Sequence, residues 1–365
     1  MRCLIACGGT GGHVYPGIAI AESVRDSGGG VVFVTNSSTN VVGMVSRCGF
    51  ADVKTIDIVG LDRRNVLKNI LLPFKLIRSF FQSLSIIRKF NPDVVIGMGN
   101  YVTVPVVIAA WVLRKRVYLQ EQNSIPGLAN KVLRMFARNV FTGFPDMDRY
   151  FGSKAVYTGN PLRKCMQHDA SHSIMPDAYQ YFGISDKFPV VLVLGGSLGA
   201  RSIIDAILGN IDCIISHGIQ VLLSVGNNYD IGNVTSKYKV DSTYVKVVQC
   251  IERMDYAYGV ASLVVSRAGA MTVSEVCNYG KPTIFIPSPN VTNDHQTMNA
   301  RFLFDADAAI YIDEKNIRRL TGKIVGVISD KHKLNELSVN IRRYARPDAT
   351  VDIMRHIVID NNCDT

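Results

Sequence analysis

The pattern that most limits what this chain can fold into is an alternation of short β-branched runs with longer helical stretches, present twice. "RCLIAC", "VVFVTN", "DVVIGMG", "RVYLQE" and "NVFTGF" read as buried parallel strands of a first half. "PVVLVLGG", "IQVLLSVG", "YVKVVQC", "SLVVSRAG" and "KPTIFIPS" form a similar second series. Such alternation builds βαβ units and doubly wound parallel sheets. Each series also opens alike, with an apolar strand, a glycine loop and a helix: "LIACGGTGGHVYPGIAIAES" and "VLVLGGSLGARSIIDAIL". The 365 residues suffice for two domains with full cores. The expected fold class is α/β, with two Rossmann-like doubly wound parallel-sheet domains facing a central cleft, because ligands of open α/β sheets bind at the strand C-terminal ends. The polar, irregular stretch from Arg163 to Lys187 is the expected linker region.

The net charge of +10 asks for an anionic partner, which is nucleic acid, anionic lipid or a phosphorylated substrate. With 47% apolar and 19% charged residues the chain is globular rather than disordered. Its eight cysteines are scattered without a C-x-x-C pair, which argues against a disulfide framework and a zinc site and points to a reducing cytosol. The N-terminus runs at once into a strand and glycine loop, unlike a signal peptide. The longest apolar run, Val102 to Leu113, is broken by Pro105 and falls short of the about 20 residues that a membrane span needs.

"CGGTGGHVYPG" fits neither Walker A, lacking Gly-Lys-Ser/Thr, nor the dinucleotide G-x-G-x-x-G spacing, which disfavours a nicotinamide dehydrogenase. Gly8, Gly9, Gly11 and Gly12 clear side chains from a strand-to-helix turn, so that amides and helix dipole can face an anion. His13 follows at once and suits proton transfer near neutrality. In the second half, "GGSLGAR" sets Ser197 and its neighbouring amides at a helix start, as a pyrophosphate cradle would require. In "SRAGAMTVSEVCNYGKP" a helix begins near Met271 and Thr272, with Glu275 one turn inside. A carboxylate there either complements the dipole or accepts both hydroxyls of a ribose. Asp294, His295 and Gln296 start another helix and read as a polar sugar-binding edge, with no further metal ligand at helpful spacing. Glu121, Gln122 and Asn123 end a strand and suit acceptor hydroxyls, and Arg163 lies where it can meet a phosphate or brace a hinge.

The stretch from Leu61 to Phe90 is basic and apolar, with seven Lys/Arg and one acid. Phe74, Ile77, Phe81 and Leu84 follow helical spacing and read as the core-facing stripe. Leu72, Leu76, Phe80 and Ile87 then add apolar surface on other sides. With Lys68 and Lys75 beside them, Leu72, Leu76 and Phe80 are the candidates for membrane contact. The cations cluster with Phe and Leu rather than with exposed stacking aromatics on strands, which argues against nucleic acid.

Together, "CGGTGGHVYPG", "GMGNYVTVP", "EQNSIPGLANK", "TGNPLR", "GGSLGAR", "SRAGAMTVSE" and "NDHQTMNA" closely resemble, in order and spacing over nearly the whole chain, the glycosyltransferase family 28 enzymes of bacterial peptidoglycan synthesis. The resemblance implies a GT-B fold with an N-terminal domain over residues 1–162, a donor-binding domain over 163–345, and a final segment 346–365 whose helix returns to the first domain. It implies transfer of N-acetylglucosamine from UDP-N-acetylglucosamine to lipid I, giving lipid II, by an inverting single displacement with His13 as base. The alternative is a transferase of the same fold with another lipid or small-molecule acceptor. Carried over, Ser197, Ala270, Met271, Thr272, Val273 and Ser274 line the donor phosphates, Ile251 reads the uracil, Glu275 the ribose and Gln296 the sugar. Thr10, Gly11, Gly12, Asn123 and Arg163 complete the donor site. No metal and no cofactor are implied. The implied partners are both substrates, an anionic membrane surface at the cytoplasmic face of the inner membrane and other cell-wall synthesis proteins, with no nucleic acid. The chain departs from the family at Gly99-Asn100, where a glycine pair usually precedes Tyr101, and has little recognisable pattern from His168 to Asp186.

Overall fold

The computed structural model describes residues 1–49, 51–60, 70–167, 176–196, 199–238 and 243–363. The chain divides into two compact units, Met1–Lys164 with Pro347–Thr365, and Cys165–Arg346. The first unit is built on seven parallel strands: β1 (Arg2–Ala6), β2 (Gly30–Asn36), β3 (Asp52–Ile56), β4 (Val94–Gly97), β5 (Arg116–Glu121), β6 (Val140–Thr142) and β7 (Ala155–Tyr157). Their spatial order is β3-β2-β1-β4-β5-β6-β7, so the order reverses between β1 and β4. The second unit has β8 (Val190–Leu194), β9 (Gln220–Ser224), β10 (Val245–Val248), β11 (Leu263–Ser266), β12 (Thr283–Phe285) and β13 (Ile310–Tyr311). Their order is β10-β9-β8-β11-β12-β13, again with one reversal, between β8 and β11.

Side chains along a strand alternate between faces, and in a parallel sheet both faces are covered. In β1 and β2, Leu4, Ala6, Val32 and Val34 join one core, with Leu84 and Ile87 of the helix Leu72–Phe90 and Val106 and Ala110 of the helix Thr103–Val112. Cys3, Ile5, Val31 and Phe33 join the opposite core, under Ile18 and Ala21 of the helix Gly11–Asp26. Ile353 and Ile357 of the last helix, Ala349–Cys363, are fully buried in that same core, and the Tyr118 hydroxyl donates to Asp360 at 2.8 Å. In the second unit Val191, Val193, Val221, Leu223, Leu263 and Val265 form one core with the helices Arg201–Leu208 and Leu320–Ser329.

The helix Leu72–Phe90 corrects the stripe read from sequence. Leu76 and Phe80 pack against the core, in line with buried Ser79, Ser83 and Ile87. Phe74, Ile77 and Phe81 turn outward, 70%, 57% and 62% exposed, continuing the exposed Ile70 and Leu71. Only Leu84 of the expected core stripe is buried. The physical reason is the two serines. Ser79 donates to Leu76 O at 2.9 Å and Ser83 to Ser79 O at 2.7 Å, so each hydroxyl is satisfied on its own helix and tolerates burial. Leu72 is half-buried, Lys75 is ion-paired with Asp57, and Lys68 lies outside the described residues.

Candidate active site

In the first unit the glycine loop leaves β1 at the point where strand order reverses, the usual ligand position of such sheets. Thr10 caps the helix Gly11–Asp26 with extended backbone, and its carbonyl accepts from His13 N at 3.1 Å and Val14 N at 3.3 Å. The first-turn amides of Gly11 and Gly12 have no i−4 carbonyl inside the helix and are what it can offer an anion. Asn100, the departure from the family's glycine pair, donates from Nδ2 to Gly8 O and accepts Val102 N at 2.9 Å. Its side chain thus pins the glycine loop to the start of the next helix, a role a second glycine would leave to backbone alone.

His13 is half-buried, with Nδ1 2.8 Å from Gln122 Oε1. Arg163 stacks its guanidinium over the Tyr15 ring at 4.6 Å. The next residue fastens that strand of chain to the same helix, through Lys164 N to Glu22 at 3.0 Å and an ion pair of Lys164 with Asp26. The structure therefore brings Thr10, Gly11, Gly12, His13 and Arg163 to one helix start.

Glu121 and Gln122, expected to meet acceptor hydroxyls, are instead buried, 2% and 1% exposed. Glu121 accepts from Asn123 N at 3.1 Å, Gly127 N at 3.0 Å and Asn130 Nδ2 at 2.9 Å. Burial pushes its carboxyl above the usual range, and these hydrogen bonds pull it partly back. Glu121 shapes the 122–127 loop, and half-buried Asn123 is the residue of the three left at its edge.

In the second unit the loop after β8 is held close to Gly226, where a Cβ would lie 2.5 Å from Gly196 O and 2.6 Å from Gly199 N. Only glycine permits that approach, which seats Gly196 and Gly199 against the chain leaving β9. Ser197 itself lies outside the described residues. Arg201 is spent on its own helix, in an ion pair with Asp205 at 3.4 Å.

The helix Ala270–Tyr279 starts at Gly269 in extended backbone. Ala270, Met271 and Val273 bury their side chains, so the helix offers an anion the amides of Ala270, Met271 and Thr272. Val273 has its side chain in the core, and its amide donates to Gly269 O at 2.9 Å, closing the first turn. The Ser274 hydroxyl folds back onto Ala270 O at 3.1 Å. Glu275 Oε2 accepts the hydroxyl of buried Tyr258 at 2.8 Å, and burial together with this carboxylate holds that phenol well above its ordinary pKa. Tyr258 thus donates permanently and fixes the direction of the Glu275 carboxylate. Gln296 Oε1 accepts Ser288 N at 2.9 Å, joining its helix to the proline loop, and Ile251 lies half-buried in the loop after β10.

Arg267 carries a positioning role that the sequence reading missed. It donates to Ile286 O and Pro287 O, both at 3.0 Å, and to Ser202 at 3.1 Å, and pairs with Glu314. It thereby ties the end of β11, which launches the Ala270 helix, to three neighbouring segments. The D-x-D triplets at Asp146–Asp148 and Asp305–Asp307 are exposed in their aspartates, and among the described residues no three His, Cys, Asp or Glu gather so as to hold a metal ion.

Residues 3–142 match the glycosyltransferase family 28 N-terminal domain and residues 190–351 the family's C-terminal domain. A UDP-N-acetylglucosamine–N-acetylmuramyl-(pentapeptide) pyrophosphoryl-undecaprenol N-acetylglucosamine transferase from Flavobacterium psychrophilum is 37% identical, over 98% of this chain and 97% of its own. The chain belongs to this transferase family, the MurG family. Another member, from Cytophaga hutchinsonii, is 38% identical over 98% of this chain and 96% of its own. The crystal structure of MurG from Acinetobacter baumannii superposes with a TM-score of 0.75 at 26% identity, covering 98% and 99% of the two chains. The two parallel-sheet units are those of the GT-B fold of this MurG-family structure.

Proposed function

We propose that this chain transfers N-acetylglucosamine from UDP-N-acetylglucosamine to the C4 hydroxyl of the MurNAc sugar in lipid I, giving lipid II for peptidoglycan. The observation that carries the reading is its similarity, over 98% of its length, to transferases whose names specify that donor and acceptor. The 165–346 unit takes the donor. The amides of Ala270, Met271 and Thr272 and the Ser197 loop meet the pyrophosphate, Glu275 the ribose, Ile251 the uracil and Gln296 the sugar. The first unit takes the acceptor, its pyrophosphate at the Gly11 and Gly12 amides, while Thr10, Asn123 and Arg163 reach the donor.

The reaction is a single displacement with inversion. The acceptor C4 oxygen bonds to the anomeric carbon as the bond from that carbon to the β-phosphate oxygen breaks. The hydroxyl proton passes to Nε2 of His13, and the electron pair departs with UDP. Helix N-terminal amides and Arg163 meet the leaving charge, which gives the reaction its independence of metal. The outward face of the helix Leu72–Phe90, with Phe74, Ile77 and Phe81 beside Arg78, rests on anionic headgroups at the cytoplasmic side of the membrane.

UDP release, measured from UDP-N-acetylglucosamine with and without a soluble lipid I analogue, tests the activity. Release only with the analogue is expected, and equal release in both arms overturns the acceptor. Retention of the donor's anomeric configuration in the product overturns the single displacement. Turnover abolished by EDTA removes the metal-independent part.

A further inference from the structure

Nδ1 of His13 meets a neutral amide, that of Gln122, and a chain of buried amides fixes which way this amide faces. Gln122 Nε2 donates to Met98 O at 3.1 Å and also lies against Gln120 Oε1. Gln120 Nε2 donates to Asn160 Oδ1 at 2.9 Å, and Asn160 Nδ2 donates to Gln122 O at 3.0 Å. Gln120, Gln122 and Asn160 are all at most 1% exposed. The chain begins and ends on main-chain carbonyls, of Met98 and Gln122, which only accept. Turning the Gln122 amide over would set its oxygen against the Met98 carbonyl, and turning Gln120 over would set two NH2 groups together. The polarity is thus determined, and Gln122 presents Oε1 to the imidazole. An acceptor at 2.8 Å from Nδ1 requires a proton there, which leaves the lone pair of the neutral ring on Nε2.

We infer that Gln122 is the positioning residue for the base: its side-chain oxygen holds His13 in the Nδ1–H tautomer, with Nε2 ready to take the acceptor hydroxyl proton. The inference rests on His13 being the base. The same hydrogen bond persists when Nε2 gains a proton, so the ring need not turn during the cycle. Three ionisable side chains of this unit have bonds of their own. Glu121 on β5 is bonded to Asn130 and the 123–127 backbone, Tyr15 lies under Arg163, and the Tyr101 hydroxyl accepts from Asn36. Gly143 belongs to the device, since a Cβ there would lie 2.3 Å from Asn160 Oδ1 and push the last amide out of the chain.

The tautomer is read directly by ring-nitrogen NMR of the full-length protein, with His13→Asn assigning the signal. Nδ1 protonated and Nε2 unprotonated is expected, and the Nε2–H form overturns the inference without any activity measurement. The second readout is the pH–rate profile with UDP-N-acetylglucosamine and a lipid I analogue. Gln122→Glu is expected to raise the pKa of the acid limb by about one unit or more, because it sets a carboxylate beside Nδ1. Gln122→Met is expected to lower kcat at least about tenfold, part of what a general base contributes, with the KM for the donor nearly unchanged. An unmoved acid limb in a folded Gln122→Glu protein, or unaltered kcat in Gln122→Met, overturns the role. Full turnover by His13→Asn would instead remove the base assignment while leaving the tautomer result standing.

Discussion

The two sides of the helix Leu72–Phe90 can be told apart by substitution, because adjacent phenylalanines face opposite ways. Phe80 packs on the core, whereas Phe81 is 62% and Phe74 70% exposed. A phenylalanine side chain carries roughly 200 Å², so the exposed parts of these two amount to ~140 Å² for Phe74 and ~125 Å² for Phe81. Complete transfer out of water at about 25 cal/mol per Å² would give about 3 kcal/mol for each ring. An interface covers one side of a ring, so about half of that, ~1.5 kcal/mol or just over tenfold in affinity, is expected per residue. Phe74→Ser with Phe81→Ser should therefore weaken binding to vesicles of anionic phospholipid by about a hundredfold, read by co-sedimentation. The same pair should leave the urea midpoint nearly unchanged. Phe80→Ala should do the reverse, costing about 3 kcal/mol of stability through lost core contact and little vesicle affinity. Undiminished vesicle binding by the double variant would refute the outward face as the lipid contact. Weaker binding by Phe80→Ala at full stability would return that role to the Leu76–Phe80 side.

Tyr258→Phe removes the hydroxyl that steers Glu275, and a hydrogen bond to a charged group is worth about 1.5–3 kcal/mol. The KM for UDP-N-acetylglucosamine should rise roughly tenfold or more, with kcat changed far less. An unchanged KM removes Glu275 from the donor site or Tyr258 from its support. Glu121 has a raised carboxyl pKa in the fold, so the folded state binds its proton more tightly than the unfolded chain does. Its contribution to stability is full below the ordinary carboxylate pKa and is lost as pH rises through the folded value. The stability difference between wild type and Glu121→Gln, followed by urea unfolding from acid to neutral pH, should shift in favour of the variant as pH rises; a constant difference contradicts the burial argument. Lys281, whose ammonium is pushed down to about 8 by burial, shows the opposite trend. Its unfolded form keeps the proton longer, so stability should rise between about pH 8 and the ordinary lysine pKa, and Lys281→Met should flatten that rise.

The central strands and both glycine loops were legible because a parallel strand buried on both faces reads as an unbroken apolar run, as in "VVLVL" of β8. The edge strands β3, β7 and β13 were not, since most of their positions stay exposed or half-exposed, as in "DVKTI". Where periodicity misled, hydroxyls were the cause. Ser79 and Ser83 look polar in sequence yet satisfy themselves on their own helix and belong to the core. The roles of Gln120, Gln122 and Asn160 were illegible for another reason. Their amides are joined across strands and loops up to 40 residues apart, and no local spacing records a hydrogen bond of that reach. Glu121 shows the limit most sharply, because a carboxylate at a strand end has the same appearance in sequence whether it greets a ligand or braces a loop.

The helix Ala349–Cys363 has a consequence for how the protein is made. It completes the core that Ile18, Phe33 and Phe141 begin, yet it leaves the ribosome only after the whole second unit. Between Lys164 and Pro347 the whole second unit, roughly 180 residues, must be synthesised first. At about 5–20 residues per second this takes roughly 10–40 seconds. For that interval the nascent first unit carries an apolar groove where Ile353 and Ile357 will lie, and the second unit can finish folding before the first one does. The first unit is thus sealed only after the second has been made.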